Sequence, residues 1–347
     1  RITRHESSAA SHVYKRHDYK SAGLTEEDLK MMYKWMDLGR KVDERLWLLN
    51  RAGKIPFVVS GQGQEATQIG MAYAMEEGDI SSPYYRDLAF VTYMGITPLD
   101  TMLSAFGKRD DINSGGKQMP SHFSHKDKGI LSQSSPVATQ IPHSVGAALA
   151  LKMDNKQNIA TATVGEGSSN QGDFHEGLNF AGVHDLPFVC VIINNKYAIS
   201  VPDSLQYAAE KLSDRALGYG MYGEQVDGND PIAVYKAMKE ARNRSLNGEG
   251  ATLIEAVTSR MTPHSSDDDD KYRTQEERDS LKEGDCNIKF KSFLLENEII
   301  DEQWLSDLEQ EHKELINKAT KAAEEAPYPS IEEAYTHVYD EGGQQND

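Results

Sequence analysis

The chain has 347 residues, with 55 Asp and Glu against 37 Lys and Arg and a formal net charge of −18. That excess of acid argues against nucleic acid or an anionic membrane surface as a partner, since both recruit basic patches. The length allows one large α/β domain or two smaller ones, and no apolar run approaches the roughly 18 residues of a membrane span. Two unrelated cysteines, Cys190 and Cys286, make neither a disulfide framework nor a metal cluster and favour a reducing compartment.

In chain order, residues 1–23 carry Ser, Arg and Lys without an apolar core, which excludes a secretory signal. A flexible arm, a trimmed transit segment and a fusion remnant remain open. Leu24-Thr25-Glu26-Glu27-Asp28 sets an apolar residue before a Thr cap and acids in the first turn, so a helix is predicted from there to about Gly53. Ile55 to Val59 reads as a short strand or its approach. It leads through Ser60-Gly61-Gln62-Gly63-Gln64-Glu65 into a helix from Ala66 to about Met75.

Pro83-Tyr84-Tyr85-Arg86-Asp87 follows. The arginine fork suits a phosphate and the two aromatics suit an apolar wall. The plainer reading is a surface Arg86–Asp87 pair. Phe106 to Leu131, rich in Gly, Ser, Lys and His, is too long for an ordinary loop, and His122 and His125 lack a metal-ligand spacing. Ser134-Ser135-Pro136-Val137-Ala138-Thr139-Gln140 then enters a helix, Ile141 to Lys152. Its small face (Gly146, Ala147, Ala148, Ala150) allows close packing.

The centre of the chain is more specific. Ile159 to Val164 and Phe188 to Ile193 are β-prone runs, and between them Phe174, Leu178, Phe180, Ala181 and Val183 recur at helical spacing. The first run ends in Gly165-Glu166-Gly167-Ser168 and the second in Asn194-Asn195-Lys196-Tyr197. A parallel crossover puts both turns at the carboxyl edge of one sheet. A glycine turn ahead of a helix N-terminus suits an anion, and Glu166 with Asn195 offers hard oxygen donors of the kind Mg²⁺ takes beside phosphate. Taken singly, Gly-Glu-Gly and Asn-Asn are ordinary turns; together they read as a Mg²⁺-diphosphate site.

Beyond it, Asp214 to Tyr219 reads as helix and Gly223 to Val226 as strand, and Asp227 to Pro231 caps the amphipathic Ile232 to Leu246. Thr252 to Val257 is a further strand, followed by Arg260-Met261-Thr262-Pro263-His264. The run Asp267 to Asp270 lacks the EF-hand spacing and reads as a solvated loop. From Thr274 the chain is helical and charged, broken at Ala326 to Ser330. A short helix (Ile331 to Val338) and a polar tail complete it. This divides the chain into an arm (1–23), an α/β domain (24–275), a helical extension (276–339) and a disordered tail (340–347).

Gly-Glu-Gly followed about thirty residues later by Asn-Asn resembles the signature of the thiamin-diphosphate-binding, transketolase-like fold: a parallel sheet flanked by helices, here with helical N- and C-terminal extensions. Glu166 stands where most of that superfamily has Asp. The longer run from Leu24 to Tyr339 is similar to alpha subunits of the decarboxylating component of branched-chain 2-oxo acid dehydrogenase complexes. The resemblance is carried by Gly-Gln-Gly-Gln-Glu (61–65), Tyr-Tyr-Arg (84–86), Gly-Lys-Gln-Met-Pro (116–120), Ser-Ser-Pro-Val-Ala-Thr-Gln (134–140), Asn-Asn-Lys-Tyr-Ala-Ile-Ser (194–200) and His-Ser-Ser-Asp-Asp (264–268).

The resemblance implies thiamin diphosphate and Mg²⁺ as cofactors, with Glu166, Asn195 and the Tyr197 carbonyl on the metal. Tyr85, Arg86, Ser135, Val137, Gly165, Gly167, Ser168 and His264 would line the cofactor, His264 as a catalytic group. Phe57, Tyr84 and Val137 would face the acyl chain, and Ser134, Pro136, Thr139 and Gln140 would hold a monovalent cation such as K⁺. Some relatives place an Arg before the Asn pair where this chain has Ile193, leaving Arg86, the metal and His264 to neutralise the diphosphate.

The implied partners are a beta subunit in an α2β2 heterotetramer, a lipoyl-bearing dihydrolipoyl acyltransferase core and a branched 2-oxo acid. The implied location is the cytoplasm, with the mitochondrial matrix as the alternative. A pyruvate or acetoin dehydrogenase alpha subunit and a non-catalytic scaffold are the competing readings.

Overall fold

A computed structural model of the chain describes residues 19–336. Most of the expected arm, the end of the last helix and the whole tail at 340–347 lie outside the described residues.

The sheet has five parallel strands in the order β1-β2-β3-β7-β6: β1 Ile80–Ser82, β2 Ala160–Gly165, β3 Phe188–Asn194, β7 Thr252–Val257 and β6 Tyr222–Asp227. A two-stranded hairpin, β4 Tyr197–Ala198 with β5 Val201–Pro202, hangs from the end of β3. Alternation along each central strand sorts the core into two layers. Val189, Val191, Ile193, Ile254 and Ala256 face one side, while Phe188, Cys190, Ile192, Ala162, Val164 and Leu253 face the other. Each large apolar side chain so buried contributes roughly 1.5–3 kcal/mol.

One layer is covered by α1 (Glu26–Arg51), α2 (Glu65–Tyr73), α3 (Leu88–Met94), α4 (Pro98–Ala105) and α7 (Pro231–Leu246). The other is covered by α5 (Gln140–Met153) and α6 (Gly172–Val183). These two pack closely because Gly177 has no side chain, since a Cβ there would meet Ile141 Cγ2 at 2.7 Å. The small face expected to bury α5 divides: Ala148 is buried, whereas Gly146 and Ala150 are exposed. The capping box expected for α1 forms, with Thr25 Oγ1 accepting from the Asp28 N–H at 3.2 Å.

The C-terminal helices α8 (Gln275–Glu283), α9 (Cys286–Glu296) and α10 (Glu302–Glu325) follow the sheet. Phe290, Leu294, Leu308 and Ile316 of α9 and α10 belong to the same buried layer as α1. A buried ionic node ties them in, because Arg40 on α1 reaches both Glu65 at 2.6 Å and Asp285 at 2.9 Å.

Three local expectations change. Ile55–Val59 bends at its start and joins no sheet among the described residues. Val58 instead exchanges bonds with Ser266 in the loop after β7, one of them through the serine hydroxyl, which breaks the ladder. The acidic run is only half solvated: Asp268 accepts from the His264 N–H and the Tyr272 hydroxyl, and Asp270 is buried beside Arg273. Of the last helix, the described residues form a 3₁₀ turn, Glu332–Tyr335, rather than an α-helix.

Candidate active site

Register alone brings the chemistry together. Gly165 pairs with Ile193, Ile193 with Ala256 and Asn194 with Val257, so Glu166, Asn195 and the loop after β7 leave the sheet side by side. A cavity of about 410 Å³ opens there. Each residue expected on the cofactor, metal or acyl chain lines it: Phe57, Tyr84, Tyr85, Arg86, Ser135, Val137, Gly165, Glu166, Gly167, Ser168, Asn195, Tyr197 and His264. Of the expected cation turn only Ser134 does. Ser134 Oγ donates to the Pro136 carbonyl at 3.2 Å, and the Gln140 amide turns inward to the Thr163 carbonyl at 2.9 Å.

Glu166 is buried at 1 % exposure. Its carboxylate accepts two long bonds, from the Asn195 N–H and from Gln206 Nε2, each at 3.3 Å. Burial pushes its pKa up, and these bonds and Arg260 only partly oppose that. Among the described residues, Asn195 Oδ1 is engaged only by the Tyr197 N–H at 3.3 Å. The first asparagine plays a different part, since Asn194 Nδ2 donates to Glu255 on β7 at 2.8 Å and to the Tyr207 hydroxyl at 3.0 Å, anchoring the turn. The anion-facing backbone differs from expectation. A separate 3₁₀ turn, Gly167–Asn170, stands between Glu166 and α6, so Gly167 and Ser168 face the cavity. Gly167 is required by proximity, because a Cβ would meet Ala198 Cβ at 2.5 Å.

Arg86 is not a surface partner of Asp87. It is 2 % exposed, and its guanidinium donates to the Ser60 carbonyl at 2.8 Å and the His264 carbonyl at 2.8 Å, with His264 Nδ1 at 2.7 Å. Arg86 can only donate, so His264 Nδ1 accepts and the ring proton sits on Nε2. Burial, then Arg86 and Arg260, hold the His264 pKa down at about 4. With no bound anion beside it, His264 is therefore held toward its neutral form, an N–H donor through Nε2. The second cation on the wall is Arg260, which donates to the Tyr197 carbonyl at 3.1 Å and the Ile199 carbonyl at 2.8 Å. Ile193, at the position where some relatives carry Arg, is wholly buried.

Sequence reasoning missed Arg260 and also His122, whose Nε2 lies 2.7 Å from Ser135 Oγ while Nδ1 faces the Met119 carbonyl at 3.0 Å. Arg260 is legible only as a polar residue just after a strand end, which gives it no specific role, and no local pattern marks His122. Tyr84 is almost entirely buried, with its hydroxyl on Gln64 Oε1 at 2.6 Å, so it lines the wall as a braced ring.

Two buried carboxyls brace this wall. Asp43 on α1 accepts from Ser60 Oγ at 2.8 Å, the Gly61 N–H at 2.7 Å and Gln62 Nε2 at 3.0 Å. Asp87 accepts from the Tyr84 N–H at 3.0 Å and from the Thr163 hydroxyl. Burial pushes Asp43 up to about 6 and Asp87 up to about 7. Raised folded-state values mean that the native chain holds protons the unfolded chain releases, so stability falls as pH rises from about 4 to about 7. Asp87→Asn is expected to flatten that slope in urea unfolding by on the order of 3 kcal/mol across the window; an unchanged slope would refute the assignment.

A parallel α/β sheet with a carboxylate, a carboxamide, two guanidiniums and glycine-lined backbone at one carboxyl edge defines a diphosphate-site protein. The chain belongs to the Dehydrogenase E1 component family, which matches residues 33–332 and whose members depend on thiamin diphosphate. Among its relatives, 2-oxoisovalerate dehydrogenase subunit alpha of Bacillus subtilis (strain 168) is 52 % identical over 323 residues, 92 % of this chain and 98 % of that one. The Pyruvate dehydrogenase E1 component subunit alpha of the same organism is 37 % identical over 91 % of this chain and 83 % of its own. The mitochondrial 2-oxoisovalerate dehydrogenase subunit alpha of Homo sapiens is 36 % identical over 92 % of this chain and 72 % of its own.

Proposed function

We propose that this chain is the alpha subunit of a branched-chain 2-oxo acid dehydrogenase, acting in thiamin-dependent oxidative decarboxylation and reductive acylation of a lipoyl group. The reading is carried by Glu166 and Asn195 meeting at one sheet edge beside the buried Arg86 charge, which has no carboxylate partner among the described residues. The greater identity to the 2-oxoisovalerate than to the pyruvate relative supports the substrate class. A scaffold role would not require so complete a set of polar groups around an open cavity.

The residues present fit both cofactors. Glu166, Asn195 Oδ1 and the Tyr197 carbonyl form an all-oxygen donor set suited to Mg²⁺. A Cβ at Gly165 would find only Tyr84 Cε2, at 3.8 Å, leaving the cavity floor free for a ligand. Bound thiamin diphosphate would supply the carbanion that attacks the 2-oxo carbon and the electron sink for decarboxylation.

The chain's own groups bind and orient. Arg86, Arg260 and the Gly167–Ser168 backbone hold negative charge, while Phe57, Tyr84 and Val137 wall an apolar acyl chain and exclude water. His264 offers its Nε2 proton toward transferred oxygen or sulfur. The Ser134–Gln140 turn is proposed to hold a monovalent cation, K⁺ being the natural candidate.

The cations and oxygen donors lining this cavity suit the diphosphate, which leaves the cofactor's other end to be held elsewhere. We assign that end to a beta subunit within an α2β2 heterotetramer serving a lipoyl-bearing acyltransferase core, and place the assembly in the cytoplasm. Two assays test the reading. The isolated chain is expected to release no CO₂ from 2-oxoisovalerate, and addition of the beta subunit to restore turnover. The assembled enzyme is expected to prefer 2-oxoisovalerate to pyruvate in kcat/KM by at least about 10-fold, the effect of roughly 1–3 kcal/mol per apolar group; a preference for pyruvate overturns the assignment.

A further inference from the structure

The two halves of the metal site come from different strands, and one residue joins them twice. Gln206 ends the segment that begins at Asn195 and carries the β4–β5 hairpin. Its side-chain nitrogen donates to Glu166 Oε1 at 3.3 Å and to the Val201 carbonyl at 2.8 Å. Its own carbonyl accepts from Asn170 Nδ2 at 3.1 Å, at the far end of the turn that Glu166 opens. The segment is closed on itself at its base, where the Asp203 N–H donates to the Lys196 carbonyl at 2.9 Å and Lys196 pairs with Asp203 at 3.0 Å.

The amide's orientation identifies its role. Gln206 Oε1 is buried and has no hydrogen-bond partner among the described residues, a state that a folded chain tolerates only when something else requires it. Turning the amide over would set that oxygen against the Glu166 carboxylate and the Val201 carbonyl, which are both acceptors. The nitrogen's bonds therefore dictate the geometry, and the idle oxygen is the consequence. The segment also bends through positive φ at Lys196 (75°) and Ile199 (55°), conformations that need support from outside the hairpin.

We infer that Gln206 is a positioning residue, a clasp that fixes the Glu166 carboxylate against the segment bearing Asn195 and Tyr197, and so sets the affinity of the divalent-ion site. This rests on the Mg²⁺ reading given above. The experiment uses the chain assembled with its beta subunit and thiamin diphosphate. Mn²⁺ serves as the probe, its free concentration read by electron paramagnetic resonance, and amide hydrogen exchange of residues 196–205 is followed in parallel.

Gln206→Met, which keeps length but removes the donor, is expected to weaken Mn²⁺ binding about 10- to 100-fold, the usual effect of losing a group that orients a metal ligand. It should also speed exchange in 196–205 while the urea midpoint of the whole chain stays put. Asn170→Ala removes only the backbone tie, and is expected to speed exchange and shift Mn²⁺ binding less than Gln206→Met. Wild-type assembly that takes up no Mn²⁺ would remove the metal reading itself. Wild-type binding matched by Gln206→Met, or a Gln206→Met that binds weakly only because the whole chain has lost stability, would overturn the clasp alone.

Discussion

Glu166→Gln is expected to weaken Mg²⁺-dependent binding of thiamin diphosphate by more than about 100-fold, beyond the roughly 10- to 100-fold that follows loss of a merely supporting residue. The substitution keeps the shape and leaves an oxygen for the Asn195 N–H, so folding is spared and the lost charge is what the measurement reads. Burial already opposes the charged form of this carboxylate, and a divalent cation is the partner that would restore it. Calorimetry on the assembled enzyme, with and without Mg²⁺, provides the check. Affinity that is unchanged and still metal-dependent would place the ion elsewhere.

The second large effect is expected at Arg86. Arg86→Gln should weaken cofactor binding by on the order of 100-fold, since a buried charge-assisted contact is lost. It should also move His264. The neighbouring guanidinium is the second cause, after burial, of the depressed value near 4. Removing it should carry the imidazole upward toward its ordinary range without reaching it, because burial and Arg260 remain. The folded chain now binds fewer protons than the unfolded chain between about pH 4 and 6.5, so His264 reduces stability as pH falls through that window. Arg86→Gln should narrow the window. Titration of the His264 ring protons by NMR reads the shift directly, and a value that does not rise would show that burial alone sets it.

Much of this site could be read from the linear chain, for a definite reason. Glu166 and Asn195 follow directly on the two most β-prone runs, and in a parallel sheet any residue just after a strand reaches the same edge. Local grammar therefore sufficed for the crossover, for the Thr25 cap and for most helices. It failed where partners come from far along the chain. Ile55–Val59 has a strand's composition, yet the bonds available to Val58 are with Ser266, more than two hundred residues on. Asp268 and Asp270 look like solvent-facing charge until Tyr272, the His264 backbone and Arg273 close around them.

Residue types and their order determined the family, the sheet edge and the side chains gathered there, because side-chain chemistry and strand periodicity are properties of short segments. The protonation states and orientations at that edge were decided only by the tertiary structure. That His264 is held toward its neutral form depends first on its burial and then on Arg86, brought to it from a distant loop, and on Arg260 of its own loop. That Arg260 stands on the cavity wall depends on where the loop after β7 folds back over the hairpin, whose Tyr197 and Ile199 carbonyls it holds. Electric fields and burial are sums over all neighbours in space, and no stretch of sequence carries that sum.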